Sequence, residues 1–264
     1  MATIETINAS VYDYPRYYDL VFGSDWKAEF EFLLDCFEKH IPDGAGRLFE
    51  PACGTGRLLF RLKKAGYQVS GCDLNQKAVD YCNGRLAKHK LAESAFVADM
   101  ADFRLATKCD AAFNMINSFR HLTMEADARA HLKCIANALR TGGLYVLGIH
   151  LTPTAGKATE EESWSARRGN LSVVSRIWLL ERHLEDRMER YGMTFDVYTP
   201  TRTFRLVDEL VLRTYTAEQF FELVDSVGNV TIAEVYDFRY RIDLPIEVGP
   251  RTEDAVFVLR KTTS

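Results

Sequence analysis

The sequence lacks several features that would assign it to a membrane, secreted or metal-binding class. None of its hydrophobic runs approaches the roughly 20 apolar residues that a membrane-spanning helix needs. The N-terminus, MATIETINASVYDYPRYYDL, has neither the basic start nor the apolar core of a secretory signal. The six cysteines show no C-x-x-C spacing, and most lie beside apolar residues. These absences predict a cytoplasmic protein with reduced, buried thiols, no bound metal and no membrane partner.

Excess positive charge is also missing. The formal net charge is −4, which argues against a nucleic-acid partner, because such proteins usually present a basic face. The 264 residues are enough for one large domain, or for a domain that carries an insertion.

Short apolar runs alternate with longer amphipathic ones over 48–150. RLFE, YQVSGCD, SAFVAD, CDAAFNMI and LYVLGIHL are typical of buried strands, and the segments between the first three and before the last have helical periodicity. VTIAEVYDF and DAVFVLRK add two strands near the C-terminus. The alternation predicts an α/β fold with a doubly wound, seven-stranded, mostly parallel sheet, whose ligands bind beyond the carboxyl ends of its strands.

We expect four regions along the chain: an N-terminal helical cover (1–45), a ligand-binding core (46–151), an insertion (152–214) and a C-terminal helix with strands that complete the sheet (215–264). In the insertion, LSVVSRIWL and TRTFRLVDELVLRTY alternate like antiparallel strands, whereas LLERHLEDRMERYG favours a helix. The insertion would bind substrate or form a dimer contact. Its aromatic and basic residues suit an acidic or aromatic substrate, a dimer contact or a solvated face equally well.

The segment LFEPACGTGRLL follows a predicted strand and opens a predicted helix. Gly54 and Gly56 supply the first pair of a dinucleotide fingerprint, but Leu59 stands where the third glycine is needed for close packing of helix on strand. No Lys-Ser/Thr pair follows for a nucleoside triphosphate. The loop therefore favours a ligand other than a dinucleotide.

Three acids end successive predicted strands: Glu50, Asp73 and Asp99. Asp73 lies 17 residues after Gly56, where a carboxylate can accept both hydroxyls of an adenosine ribose. Asp99 can accept the adenine amino group, with Leu74 and Met100 flanking the ring. An acidic, glycine-lined pocket without lysine suits a ligand that lacks phosphates, especially a cation.

The ordered motifs EPACGTG, GCDL, VADM and LRTGGLYVLGIH resemble those of class I S-adenosylmethionine-dependent methyltransferases. The resemblance implies a Rossmann-like fold, S-adenosylmethionine as cofactor and S-adenosylhomocysteine as product. It places the methionine carboxylate at the amides of Gly54 and Thr55, and it adds Gly56 and Asn114 to the cofactor site. Ala52 departs from the glycine that is common in the family, and it fits if its φ is negative.

The stretch YYDLVFGSDWKAEFEFLL is similar to segments of small-molecule methyltransferases, including sugar-amine N-methyltransferases. The resemblance implies cofactor contacts by Tyr18 and Trp26, and a catalytic contribution from Tyr18. The segment NMINSFRHL, which follows the fourth predicted strand, is also similar to the small-molecule group, and the resemblance makes His121 a candidate base. For Trp26 and His121, ordinary core packing is an alternative of similar weight.

These features together predict a methyltransferase of the small-molecule type, which transfers a methyl group to nitrogen or oxygen of a small acceptor by in-line displacement. The alternatives are a non-catalytic S-adenosylmethionine-binding sensor or partner protein, and an NAD(P)-dependent oxidoreductase. We expect a monomer or a homodimer.

Overall fold

A computed structural model describes residues 4–263. Its α-helices are α1 (Pro15–Phe22), α2 (Lys27–His40), α3 (Arg57–Lys64), α4 (Gln76–Lys88), α5 (Glu125–Ala138) and α6 (Ala217–Asp225). Its strands are β1 (Glu5–Asn8), β2 (Arg47–Pro51), β3 (Gln68–Asp73), β4 (Ala95–Val97), β5 (Cys109–Asn114), β6 (Leu139–His150), β7 (Glu161–Arg168), β8 (Leu171–His183), β9 (Met188–Tyr198), β10 (Thr203–Arg213), β11 (Val230–Tyr236) and β12 (Asp254–Lys261).

The first sheet has seven strands in the order β11-β12-β6-β5-β2-β3-β4. Strands β2 to β6 pair in parallel, and β12 runs antiparallel to both β6 and β11. The predicted α/β class with a doubly wound, mostly parallel sheet is confirmed. The winding reverses between β2 and β5, so the loops that follow these two strands lie at the position where such sheets bind ligands.

The second sheet has five strands in the order β1-β10-β9-β8-β7. Strands β7 to β10 form an antiparallel meander within the predicted insertion. Strand β1, which the sequence did not indicate, adds to the edge in parallel with β10.

The predicted helix over 179–192 is wrong, because this segment forms the hairpin between β8 and β9. Charged side chains that would have supported a helix pair across the two strands instead: Glu181 lies opposite Arg190, and Arg182 lies opposite Glu189. The ion pairs Arg190–Glu181 and Arg182–Glu189 are both 2.6 Å long. Charges at this spacing are compatible with either structure, so the pattern alone does not distinguish a helix from a hairpin.

The two sheets have separate cores. The faces of the seven-stranded sheet are covered by α2, α3 and α4 on one side and by α5 and α6 on the other. The inner face of the five-stranded sheet packs on α1 through Leu20, Val21, Phe195 and their neighbours. Between residues 4 and 263, no helix is both long and apolar enough to cross a membrane. All six cysteines are free.

Candidate active site

The loop between β2 and α3 depends on left-handed backbone conformations. Gly54 and Gly56 have φ angles of +51° and +69°, which explains why glycine stands at both positions. Ala52 also lies in this region, with φ +50°. The expectation that Ala52 fits because its φ is negative is therefore wrong, and alanine pays about 1 kcal/mol here for the close approach of its Cβ to the backbone.

Asp73, at the end of β3, is in direct contact with this loop. Its Oδ2 accepts a hydrogen bond from the Gly54 amide at 2.8 Å, and its Oδ1 accepts one from the Asn75 amide at 2.8 Å. Burial raises the pKa of Asp73, and these backbone donors oppose the rise. The glycine loop and the acid thus form one unit. We expected the Gly54 amide to donate to a ligand carboxylate, but it donates its hydrogen bond to Asp73 instead.

Glu50 lies beneath the loop rather than at its open edge. It is only 7% exposed, and its Oε2 accepts the amide of Leu59 in the first turn of α3 at 3.1 Å. Burial raises the pKa of Glu50 well above its ordinary value. Leu59, where a dinucleotide fingerprint would have glycine, packs over Gly71 of β3, so the facing strand supplies the space for close packing.

Two large apolar side chains are exposed where β3 and β4 end. Leu74 is 73% exposed and Val97 is 45% exposed. Exposed Asp99 follows β4, and its own Oδ1 accepts the Ala101 amide at 2.8 Å. An uncovered apolar surface thus lies where these strands end, next in the chain to Asp73 and near Asp99, and the adenosine position there stays a prediction.

The next residue, Met100, is held from below by a buried histidine. His131 Nδ1 donates to the Met100 carbonyl at 2.8 Å, and the Tyr145 hydroxyl donates to His131 Nε2 at 2.8 Å. Burial lowers the pKa of His131 to about 4. His131 is thus a neutral positioning residue for this edge of the site, which sequence reasoning missed because its partner lies 31 residues earlier.

Asn114 ends β5 at the switch point of the sheet. Its Nδ2 donates to the Pro51 carbonyl at 2.8 Å, while its Oδ1 is buried without a hydrogen-bond partner. A buried acceptor without a partner is costly unless a ligand or water supplies the donor.

The N-terminal segment covers this site from above. Asp13 accepts the Asn75 side-chain amide at 2.8 Å and pairs with Lys77 at 3.1 Å. Further along, Asp19 is 2% exposed and accepts the Thr55 hydroxyl at 3.2 Å. The cover is therefore tied to both the glycine loop and the start of α4.

Tyr18 and Trp26, the two aromatic residues of the cover that were predicted to contact the cofactor, lie in different environments. Tyr18 lines a large cleft, with its ring centroid 4.7 Å from that of Phe22, and burial raises its pKa to about 12. Trp26 does not line the cleft. Its ring carries the Arg61 guanidinium at 4.1 Å from the centroid and packs against Phe30.

His121 faces the same cleft and has a partner that the sequence did not indicate. The Tyr12 hydroxyl lies 3.0 Å from His121 Nε2. The surrounding protein lowers the pKa of His121 by desolvation, assisted by the charge of Arg120 and opposed by Asp208. Burial raises the pKa of Tyr12 well above its ordinary value, so its hydroxyl stays protonated.

The cleft between the two sheets has a volume of about 440 Å³. Its aromatic lining comes from the cover, the second sheet and the loop after β11, namely Tyr12, Tyr18, Phe22, Trp164, Tyr191, Phe238 and Tyr240. Its carboxylates are Asp25, Glu29, Glu160, Glu161, Glu162, Glu189, Glu253 and Asp254. Its guanidinium groups are those of Arg120 and Arg182.

A buried ion network joins the two sheets along this cleft. Arg120, which follows β5, pairs with Glu189 of β9 and donates from Nε to the Arg213 carbonyl at 2.7 Å. Arg182 pairs with the other oxygen of Glu189 at 2.6 Å. Arg182 also pairs with Glu160 at 3.5 Å, so both cleft arginines are paired with acids of the protein.

Residues 49–143 match a family model described as a methyltransferase domain. A protein of Geobacillus sp. (strain WCH70) that is named only as a methyltransferase is 23% identical over 231 residues, or 87% of this chain and 90% of that one. The dTDP-3-amino-3,4,6-trideoxy-alpha-D-glucopyranose N,N-dimethyltransferase of Streptomyces venezuelae is 30% identical over 138 residues, which are 51% of this chain and 56% of that enzyme. The crystal structure of an S-adenosylmethionine-dependent methyltransferase from Clostridium acetobutylicum ATCC 824 superposes with a TM-score of 0.76 at 17% identity, covering 95% of this chain and 98% of that one.

Residues 49–143 therefore form a methyltransferase domain. The predicted resemblance to S-adenosylmethionine-dependent methyltransferases of the small-molecule type is confirmed, and with it the fold and the enzyme class.

The predicted donor-binding residues stay a prediction. Leu74, which directly follows Asp73, is exposed, and the buried Oδ1 of Asn114 has no hydrogen-bond partner among the described residues. In the part of the chain that the structure describes, no group of three or more histidine, cysteine or acidic side chains is arranged to hold a metal ion.

The arginines of the second sheet are largely engaged with neighbouring acids. Arg176 pairs with Glu161 at 2.5 Å, and Arg205 pairs with Asp196 at 2.5 Å. Arg202 pairs with Glu5 of β1 at 2.7 Å. These ion pairs hold the strands together and leave little free positive charge for an acidic substrate.

Proposed function

We propose that this methyltransferase transfers a methyl group from S-adenosylmethionine to an amino nitrogen of a small, positively charged molecule bound in the cleft between the two sheets. The observation that carries the proposal is the excess of carboxylates in the cleft, combined with the Tyr12–His121 pair on its wall. The name of the Streptomyces venezuelae relative, a dimethyltransferase of an amino sugar, supports nitrogen as the acceptor atom.

The donor occupies the surface formed by the glycine loop and the ends of β3, β4 and β5. The Asp73 carboxylate accepts the amides of Gly54 and Asn75 on different oxygens, and its remaining acceptor capacity serves the ribose hydroxyls. Leu74 and Met100 flank the adenine, and Asn114 and Thr55 meet the remainder. When bound, S-adenosylmethionine supplies an already activated methyl group, so positioning contributes most of the rate acceleration.

The Tyr12–His121 pair removes the proton that blocks the acceptor nitrogen. An ammonium group has no lone pair, so it must lose one proton before the nitrogen can attack. His121 is suited to this task because its lowered pKa keeps the imidazole neutral at neutral pH. Tyr12 holds the ring and provides a hydroxyl through which the proton reaches Nε2.

The charges of the cleft select the acceptor. Among the described residues, Asp25, Glu162 and Glu253 form no ion pair with Lys, Arg or His. Burial raises the pKa of Glu162, and the nearby carboxylates of Asp254 and Glu253 raise it further, against the effect of His150. A bound ammonium group relieves this repulsion, whereas a diphosphate meets only two arginines, both paired with Glu189.

A matched acceptor panel tests the proposal. We would assay a free amino sugar, the same sugar with hydroxyl in place of the amine, and its nucleoside-diphosphate form, after calorimetry has shown that the donor binds. We expect methylation of the amine, none of the hydroxyl analogue, and a kcat/KM for the nucleotide form at least about tenfold lower, because a like charge in the cleft costs over 1 kcal/mol. Equal turnover of amine and hydroxyl, or a preference for the nucleotide form, would contradict it.

Glu162→Gln provides a direct test of the charge argument. This substitution keeps the size of the side chain and removes one unpaired carboxylate, so KM for the amine should rise roughly threefold to tenfold with kcat little changed. The matched control is Glu93→Gln, which changes an exposed acid outside the cleft. If both variants have the same KM, the carboxylates do not recognise the acceptor.

We also propose a cytoplasmic location, which the six free cysteines support. Whether the enzyme works as a monomer or a homodimer stays a prediction.

A further inference from the structure

A second pocket lies on the outer side of the cover, away from the cleft. It has a volume of about 290 Å³ and is enclosed by the end of α1, the exposed side of α3, the end of α4 and the tip of β7. The side chains that form it are strongly basic, namely Arg57, Arg61, Lys64, Arg85 and Arg168, with His89 beside them. Its one carboxylate is that of Asp19.

The carboxylate of Asp19 is already fully used. It pairs with Arg85 and, at 3.8 Å, with Arg168, and it accepts hydrogen bonds from the Thr55 and Tyr81 hydroxyls at 3.2 and 3.1 Å. One buried carboxylate therefore compensates for two guanidinium groups. The charge of Arg57 is compensated by a different acid, because Arg57 pairs with buried Glu29.

The remaining two cations have no counter-ion in the part of the chain that the structure describes. Neither Arg61 nor Lys64 forms an ion pair there. Arg61 rests on the Trp26 ring, an attraction that leaves its positive charge uncompensated. Burial lowers the pKa of Arg61, and repulsion from Arg85 and Arg168 lowers it further, against the attraction of Asp19.

The basic groups converge on one aromatic ring. The charged groups of Arg61, Lys64 and Arg85 lie 5.4, 5.9 and 5.7 Å from the centroid of Phe60, and the His89 ring lies 4.7 Å from it. Phe60 is 6% exposed, so it forms a firm floor beneath them. Several donors that face one small pocket from fixed helices suit a compact anion of more than one charge.

We propose that this pocket binds a small multivalent anion of the phosphate class, such as a diphosphate group. Guanidinium groups match phosphate oxygens by paired hydrogen bonds, and Lys64 adds a mobile third cation at the rim. The pocket is distinct from the donor surface and from the acceptor cleft, but it is linked to both. Asp19 accepts a hydrogen bond from Thr55 of the glycine loop, and Arg57 pairs with Glu29 of the cleft.

Calorimetry with sodium pyrophosphate and the full chain tests the site without any methyl transfer. We expect saturable binding at one site, weakened by added salt, and affinity for inorganic phosphate or sulfate at least about tenfold lower at equal ionic strength. The measurement needs neither donor nor acceptor, so its failure is distinct from a failure of the proposed methyl transfer.

Two variants and one control locate the site. Lys64→Gln should weaken pyrophosphate binding roughly threefold to thirtyfold, and Arg61→Lys should weaken it similarly, because lysine keeps the charge but loses the paired donors. Lys88→Gln changes an exposed lysine of α4 that does not line the pocket, and it should leave the affinity unchanged. Far-ultraviolet circular dichroism and thermal unfolding check that each variant is folded.

Three results would overturn the proposal. The first is the absence of saturable binding up to about 10 mM pyrophosphate, beyond which an affinity is too weak to be a site. The second is equal weakening by Lys64→Gln and Lys88→Gln, which would indicate general charge attraction. The third is binding of a poly-glutamate chain without binding of pyrophosphate, which would assign the surface to a protein partner.

Discussion

The Tyr12 hydroxyl and His121 Nε2 lie 3.0 Å apart, although the two residues are 109 positions apart in the sequence. One belongs to the cover and the other follows β5, so the pair exists only when the cover is closed over the sheet. This contact joins the cover to the proposed base of the reaction.

We expect His121→Gln to reduce kcat by roughly a hundredfold, which is typical for the loss of a general base. Tyr12→Phe should have a smaller effect, because the imidazole remains. Donor affinity, measured by calorimetry, should stay within about threefold in both variants, since neither residue belongs to the donor surface. In the wild type, kcat/KM should fall only below pH 6.5, because the pKa of His121 is lowered and the base is lost when it takes up a proton. Unchanged turnover in His121→Gln would make this histidine a packing residue.

Asp73→Asn should weaken donor binding by roughly tenfold to a hundredfold, as expected when one charge-assisted hydrogen bond is lost. The asparagine side chain has one accepting oxygen and one donating NH2 group, so it cannot accept hydrogen bonds from both the Gly54 and the Asn75 amides as the carboxylate does. We expect the glycine loop to lose its hydrogen bond to residue 73, which would weaken donor binding further. Asp80→Asn, on the exposed side of α4, is the control. Equal donor affinity in the two variants, measured by calorimetry, would exclude Asp73 from the site.

Ala52→Gly should raise the free energy of unfolding by about 0.5 kcal/mol. Removing the strain of the left-handed conformation stabilises the folded state by about 1 kcal/mol. Glycine also gives the unfolded chain more conformational entropy, which offsets part of this gain. The same change at Ala130, in the middle of α5, should instead lower stability by about 1 kcal/mol. Urea denaturation of both variants measures this contrast, and destabilisation by Ala52→Gly would show that alanine is not strained there.

Acid should destabilise the protein through His131. Its pKa is about 4 in the folded state and 6.5 ordinarily, so the unfolded chain takes up a proton that the folded protein refuses. This contribution to stability is complete above pH 6.5 and declines as the pH falls, and roughly 3 kcal/mol of it is lost by pH 4. His131→Gln should therefore be less stable than the wild type at pH 7.5, and the difference should shrink on acidification. Parallel stability curves from denaturant titrations at several pH values would contradict this, and exposed His89→Gln serves as the control.

The sequence was sufficient where local pattern and long-range structure agree. The parallel strands are short apolar runs, and the position of Gly54 and Asp73 at one edge of the sheet follows from the ends of these runs, although the hydrogen bond between the two residues was not predicted. The sequence did not predict the role of a side chain where that role depends on a contact that the local pattern does not reveal. Glu50 ends a strand as Asp73 does, yet its side chain points beneath the loop to Leu59. Trp26 rests against Arg61, and Tyr12 was overlooked because YDYPRYYD contains two Tyr-Asp pairs of equal appearance.

Strand β1 has a consequence for the way this protein is made. Glu5 pairs with Phe204, and Asn8 pairs with Val207, so the first strand finds its neighbour only after most of the chain has been synthesised. Contacts between such distant residues form slowly, because a long loop must close before they stabilise anything. During translation the cover therefore leaves the ribosome well before the five-stranded sheet can form. The cover, with Tyr12, reaches its final position near the end of folding. A nascent chain arrested before residue 203 would contain the glycine loop but would leave the cleft unbuilt.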